Sequence, residues 1–230
     1  MSYRRKKLLA LFFAMALSMT AVAGCTGAKS STGNVVSLET ETNAEETSAQ
    51  SEAGTFSSAD MFTERDLAGT YEESRAVYVT LSDDGIAGET DGVVIDGQMV
   101  TITAEGTYIF SRTLSEGQIV VDADNAKVQI VFDNVDITCA SSAAVYVKSA
   151  EKVFVTLAEG SQNTLRNTDE YVAIDDNNID AVIFAKSDLT LNGTGSLTII
   201  SAEGHGIVSK DDLKIIGGTY DITAAGHALS

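Results

Sequence analysis

Carboxylates return in this chain at a regular interval. Lys186-Ser187-Asp188-Leu189 is answered by Lys210-Asp211-Asp212-Leu213, so a lysine, an acid and an alternating apolar run recur two dozen positions on. Side chains of a strand alternate, which turns Leu189, Leu191, Leu213 and Ile215 to one side and Asp188, Thr190, Asp212 and Lys214 to the other. Stacked strands lie about 4.8 Å apart, which would set Asp188 over Asp212. Two such charges repel by about 0.9 kcal/mol in water and by about 3–4 kcal/mol at an effective dielectric of 20. Three arrangements relieve the repulsion: a raised carboxylate pKa, a ladder with Lys186 and Lys210, or a bound cation. Calcium accepts roughly six to eight oxygen ligands in loose geometry. Asp175, Asp176, Asn177, Asn178 and Asp180 supply more oxygens just ahead of the same repeat.

Other reactive groupings are sparse. His205 and His227 recur with the repeat, but without a cysteine or a third histidine they make a poor zinc set and read as turn residues. There is no Gly-x-Ser-x-Gly elbow and no phosphate-cradling loop. Acid pairs are plentiful, yet nothing marks one as a glycosidase pair. A calcium-dependent polysaccharide lyase needs a base near its acids, and Arg166 and Lys210 are the residues at hand. Asn192-Gly193-Thr194 fits a glycosylation sequon and reads as a turn.

Short alternating runs must position these groups. "AVYVTL", "GVVI", "MVTIT", "TYIFS", "QIVVDA", "KVQIVF", "VDIT", "AAVYVK" and "KVFVTL" are rich in Val, Ile, Thr, Tyr and Phe and are separated by Gly, Asp, Asn and Ser, the pattern of strands. No stretch is long and amphipathic enough for a βαβ crossover, so the fold class is all-β. Repetition separates a sandwich from a parallel β-helix. Ile183, Lys186, Asp188, Leu189 and Leu191 match Ile207, Lys210, Asp212, Leu213 and Ile215 at the full interval; Leu197-Thr198-Ile199 match Tyr220-Asp221-Ile222 one position sooner, and Gly204-His205 match Gly226-His227 one sooner still. That interval, at about 3.3 Å per residue, is the contour of one coil of three short strands. The expectation is a right-handed parallel β-helix over 56–230, with residues 166–180 protruding as an acidic loop and Ser58 capping a short helical lead-in. The chain stops at "GHALS", where the previous coil opened, so the helix is expected to be truncated at its C-terminus. The absence of proline suits strands paired on both sides.

The N-terminus carries an address. Arg4, Arg5, Lys6 and Lys7 precede a short apolar run, so residues 1–24 read as an export signal. Val22-Ala23-Gly24-Cys25 resembles the lipobox of bacterial lipoproteins, which implies a lipidated Cys25 and an extracellular protein anchored to the cell membrane. Residues 26–55 hold 16 Ser, Thr or Glu and no aromatic residue, so 25–55 is a tether with too little to bury. Its reach is about 30 Å. With Cys25 acylated, Cys139 has no disulfide partner and reads as a small buried filler.

The formal charge is −18, and the 15 basic residues less the four of Arg4–Lys7 leave 11 against 33 acids. Nucleic acid, which needs a basic footprint, is not an expected partner.

"VTITAEGTYIFSRTLSEGQIVVDADNAKVQIVFDNVDIT" (100–138), "DAVIFAKSDLTLNGTGSLTI" (180–199) and "GIVSKDDLKIIGGTYDITAAG" (206–226) resemble a family of bacterial secreted β-helix carbohydrate-binding proteins. The resemblance covers most of the chain from about Phe56. It implies a pectate-lyase-like fold that binds cellulose and polygalacturonate and holds calcium, without demonstrated lyase function. It implies Asp180, Asp188, Asp211 and Asp212 as calcium-site residues. This chain departs from the pattern at His205 and His227, where relatives carry Asn or Asp, and at Ser187, which replaces the first acid. Tyr146, Phe184 and Tyr220 are the aromatic candidates for stacking on sugar rings, their facing set by strand register. The leading expectation is therefore a non-catalytic polysaccharide binder. A calcium-dependent lyase and a structural adhesin or spacer are the alternatives.

Overall fold

A computed structural model describes residues 61–230 other than 89, 173 and 174. The expected export signal, Cys25, the tether and Ser58 lie outside the described residues. The regular structure of the described residues is nearly all β with almost no helix, and among them no helix is long and apolar enough to cross a membrane.

A capping box opens the described chain. Thr63 accepts from the Asp66 backbone N–H, and the Asp66 carboxylate accepts in return from Thr63, which starts the five-residue helix α1 (Glu64–Ala68). Such reciprocal caps satisfy the orphan donors of a first turn. Gly69, with φ of 57°, ends it.

Fifteen strands follow: β1 (Val77–Leu81), β2 (Val93–Asp96), β3 (Met99–Ile102), β4 (Gly106–Leu114), β5 (Gln118–Asp122), β6 (Lys127–Thr138), β7 (Val145–Ser149), β8 (Lys152–Leu157), β9 (Gln162–Asn167), β10 (Ala181–Ala185), β11 (Asp188–Gly193), β12 (Ser196–Ser201), β13 (His205–Ser209), β14 (Leu213–Ile215) and β15 (Thr219–Ala224). Every run expected from alternation is a strand, and "KVQIVF" and "VDIT" join into the single strand β6. Only the β2–β3 pairing is antiparallel among these elements.

The parallel pairs form three stacks. The first is β3-β5-β7-β10-β13, a six-stranded sheet with β2 at its edge. The second runs through the first half of β6 to β8, β11 and β14, and the third through its second half to β9, β12 and β15. Asn134, at φ 58°, bends β6 between them. Val135 N–H donates to Asn163 Oδ1, and Asn163 Nδ2 donates to the Ser196 carbonyl, so one buried amide ties three layers at this corner.

Residues two dozen apart are neighbours in these stacks. Leu189 pairs with Leu213, Leu191 with Ile215, Ile183 with Ile207 and Ile199 with Ile222. The interior is built from like side chains one above another, such as Ile119, Val145, Ile183 and Ile207. Each fully buried Val, Leu or Ile contributes about 1.5–3 kcal/mol. Cys139 is buried in this core, and burial, then Glu116, pushes its thiol up to about 11.

The acidic segment differs from expectation. Rather than protruding, it lies back along the first stack: Ile179 packs with Val120, Tyr146, Phe184 and Val208, and Tyr171 leans on them. An outward column of apolar and aromatic side chains would otherwise face water, and covering it is favoured by the area removed.

Candidate functional site

The corner from the first stack to the second carries the repeated acids. Asp212 N–H donates to Asp188 Oδ1 at 3.3 Å, so the stacking read from the repeat brings these two together. Their cations are not Lys186 and Lys210. Lys214 Nζ sits 2.9 Å from Asp212 Oδ2, and Asp188 is in register with Lys152 of the layer before. Lys210 Nζ instead lies 5.2 Å over the Phe184 ring. Lys214 reaches Asp212 from two residues on, and Lys152, though in register with Asp188, gives its ammonium to Asp66. Asp211 is exposed beside this pair, while Asp180 stands at the other end of β10, about 16 Å of strand away. Asp180 Oδ2 approaches His205 Nε2 at 4.0 Å. His205 and His227 stack with centroids 5.0 Å apart and planes 4° from parallel, and His227 N–H donates to His205 Nδ1. Among the described residues no three His, Cys, Asp or Glu side chains gather as a metal cluster. A calcium ion at Asp188 and Asp212 would draw its remaining ligands from carbonyls, water or ligand, and would compete with Lys214.

The three aromatic candidates face otherwise than a sugar platform needs. Tyr146 and Phe184 point outward from the first stack, in register with one another, but each is 1% exposed beneath the segment that carries Tyr171 and Ile179. Tyr146 Oη donates to Asp175 Oδ2 at 2.6 Å and accepts from Asn177 Nδ2. Burial, then that acceptor, raises the phenol pKa, and the same bond lowers that of Asp175. Tyr220 is in register with inward Leu197 and packs on the core, its hydroxyl donating to the Gly217 carbonyl. Tyr146 is thus a clasp: Tyr146→Phe should lower stability by about 1.5–3 kcal/mol through the lost bond to a charged acceptor. Glycan retention should not change, a split that parallel melting and retention assays read.

The bases of a lyase are not poised either. Arg166 is paired with Asp136, and Lys210 rests on Phe184.

A groove of ≈ 1070 Å³ lies elsewhere, between the lead-in after α1 and the corner from the second stack to the third. One wall is Leu67–Tyr71 with Glu73; the other holds Asp133, Leu157–Gly160, Asn192–Thr194, Ile216 and Gly217. The lead-in is fastened by Asp66, which is 0% exposed. Its carboxylate accepts from Lys152 Nζ at 2.6 Å and Thr190 Oγ1 at 2.7 Å, and Asn192 Nδ2 donates to the Asp66 carbonyl. Burial alone would raise this carboxyl's pKa, but Lys152, Thr190 and Thr63 outweigh it and hold the group far below the carboxylate range. Gly69 lies close against the Gly193 backbone, where a Cβ on Gly69 would come within 3.1 Å of the Gly193 nitrogen. Asn192, 2% exposed and bonded to Thr156 and Asp66, is a fastening residue, not a glycan acceptor.

Tyr71 forms part of the groove wall. Its ring packs with Ile109, Val131 and Ala158, and burial, then Glu73 and Asp133, raises its phenol pKa. Sequence reading missed Tyr71, Glu73, Asp133 and Glu159, because none belongs to the repeat. The one legible signal was Thr63-Glu64-Arg65-Asp66, a capping pattern that places a helix but not its docking surface.

Comparison with known proteins places this geometry in a family. Residues 96–230 match the family profile described as "Carbohydrate-binding domain-containing protein". A curated relative of that description from Acetivibrio thermocellus is 40% identical over 141 residues, 60% of this chain and 49% of the relative. The chain therefore spans about half the length of that relative. A solved structure titled "Structure of the polysaccharide lyase-like protein from C. thermocellum, Gadolinium derivative" superposes with a TM-score of 0.61 at 37% identity, over 65% of this chain and 62% of that one. With a profile match across more than half its length, the chain belongs to the carbohydrate-binding domain-containing protein family.

Proposed function

We propose that this protein is a non-catalytic polysaccharide-binding module, wound as a right-handed parallel β-helix and held on the bacterial cell surface by a lipidated Cys25. The observation that carries the reading is the open groove of ≈ 1070 Å³ in a chain of this family. Its volume is at the upper end of small-ligand sites, which hold roughly 300–1,000 Å³, and suits several linked sugar rings. Right-handed winding follows the strong preference of parallel strand crossovers. The engagement of Arg166 and Lys210 with other partners favours binding over lyase chemistry. A polysaccharide such as polygalacturonate or cellulose is the ligand class.

Calcium belongs to the reading at the Asp188–Asp212 corner, with Asp211 adjacent and Asp180 apart. Two neighbouring carboxylates suit a hard cation with loose geometry, and the gadolinium used for the neighbouring structure is a cation of the same oxygen-seeking kind. The test incubates the full chain with polygalacturonate and with cellulose, in calcium or chelator, following retention and unsaturated product together. Retention without product is expected, and the double variant Asp188→Asn with Asp212→Asn should lose the calcium-dependent share. Unsaturated product would replace this reading with a lyase; neither retention nor product would leave a spacer.

A further inference from the structure

We infer that the groove between the lead-in and the strand corners is a site for an uncharged glycan chain, and that Tyr71 is its ring platform. The inference rests on the polysaccharide-binding reading and narrows it to one place and one ligand class. The lead-in wall, with Tyr71 and Glu73, precedes the family-matched residues, which begin at 96. The site is therefore completed by this chain's own N-terminal segment rather than by the family domain alone. Asp66 makes the wall a fixed part of the molecule, since its carboxylate joins α1 to Lys152 and Thr190 of two neighbouring strands.

Three properties of the groove select the ligand. The floor is small: Gly160, Gly193, Thr194 and Gly217 leave backbone exposed to a flat ring. Tyr71 is half-buried against Ile109, Val131 and Ala158, and its hydroxyl has no hydrogen-bond partner among the described residues. A ring with an apolar body and a free polar tip serves surfaces that are partly apolar and partly wet, as a sugar face is. The titratable lining is acidic throughout, with Glu73, Asp133 and Glu159 and no Lys, Arg or His. Carboxylates accept hydrogen bonds from ligand hydroxyls, whereas a uronate would bring like charge beside all three of them. An uncharged β-linked glucan meets all three conditions.

Calorimetric titration of the full chain with cellohexaose and with a galacturonate hexamer, both in chelator, tests this. Chelator removes calcium bridging at the Asp188–Asp212 corner. Cellohexaose should bind at least tenfold more tightly than the galacturonate hexamer. Tyr71→Ala should weaken cellohexaose at least tenfold while Tyr71→Phe, which keeps the ring, loses only a few-fold. Glu159→Gln, an exposed change that leaves the fold intact, should narrow the discrimination against the uronate. Equal affinity of the wild type for the two hexamers, or cellohexaose binding unchanged in Tyr71→Ala, overturns the site and leaves the polysaccharide reading standing. Failure of the wild type to bind either hexamer in chelator, or polygalacturonate in calcium, overturns both.

Discussion

Asp66→Ala should release the lead-in from the second stack at a cost of about 3–5 kcal/mol, the usual loss when one member of a buried ion pair is removed. The cost comes from what remains. Lys152 would keep its charge in a largely buried position with no carboxylate, and Thr190, which is 0% exposed, would lose its acceptor. The double variant Asp66→Ala with Lys152→Met should lose less than the two single changes together, since the orphaned charge is gone and neighbouring changes couple. Amide hydrogen exchange checks this directly: protection over Glu64–Ala68 should collapse in the single variant while that of β10 and β13 persists. The pH dependence has a definite sign. A carboxyl whose folded pKa lies below its ordinary 3.8 contributes in full above that value. Its contribution is lost as pH falls from there through the folded value. The lead-in should therefore stay docked through pH 5 and loosen only below about pH 4.

Gly193→Ala should be the second large effect, costing about 2–6 kcal/mol in all from two sources, backbone strain and overpacking. Gly193 has φ of 95°, where a side chain is strained by about 1–3 kcal/mol. A Cβ there would also overlap the Leu157 carbonyl of the layer beneath, and overpacking against groups that cannot move adds about 1–3 kcal/mol. The same corner floors the groove, so any folded fraction should bind glycan poorly. Thermal melting reads the first effect and titration of the surviving fold the second. An unchanged melting temperature would mean that the layers do not approach as closely as the Leu157–Gly193 register requires.

The architecture was legible where the sequence repeats itself. Matches at the repeat interval identified the pairs Ile183–Ile207, Leu189–Leu213 and Ile199–Ile222 because stacked layers impose the same inward or outward demand on each station. The match of His205 with His227 placed the two rings one above the other for the same reason. What escaped was everything held by contacts between unlike segments. Asp66 meets Thr190 from far along the chain, and nothing in a short helix announces that partner. Tyr146 and Phe184 do point outward as alternation requires, but alternation says nothing about a later segment folding over them. Tyr220 aligned by identity of position with Leu197 and therefore faces inward, although its ring chemistry suggested a surface role. The repeated acids are neighbours as the repeat implied, while the lysine that meets Asp212 is Lys214, two residues on, rather than Lys186 or Lys210.

The most direct measurement is a crystal structure of the full chain grown with cellohexaose. Sugar rings should lie along the groove against Tyr71, with hydroxyls bonded to Asp133 or Glu159 and the lead-in unmoved. Glycan ordered on the outer face of the first stack, with Tyr171 and Ile179 displaced from Tyr146 and Phe184, would contradict the account.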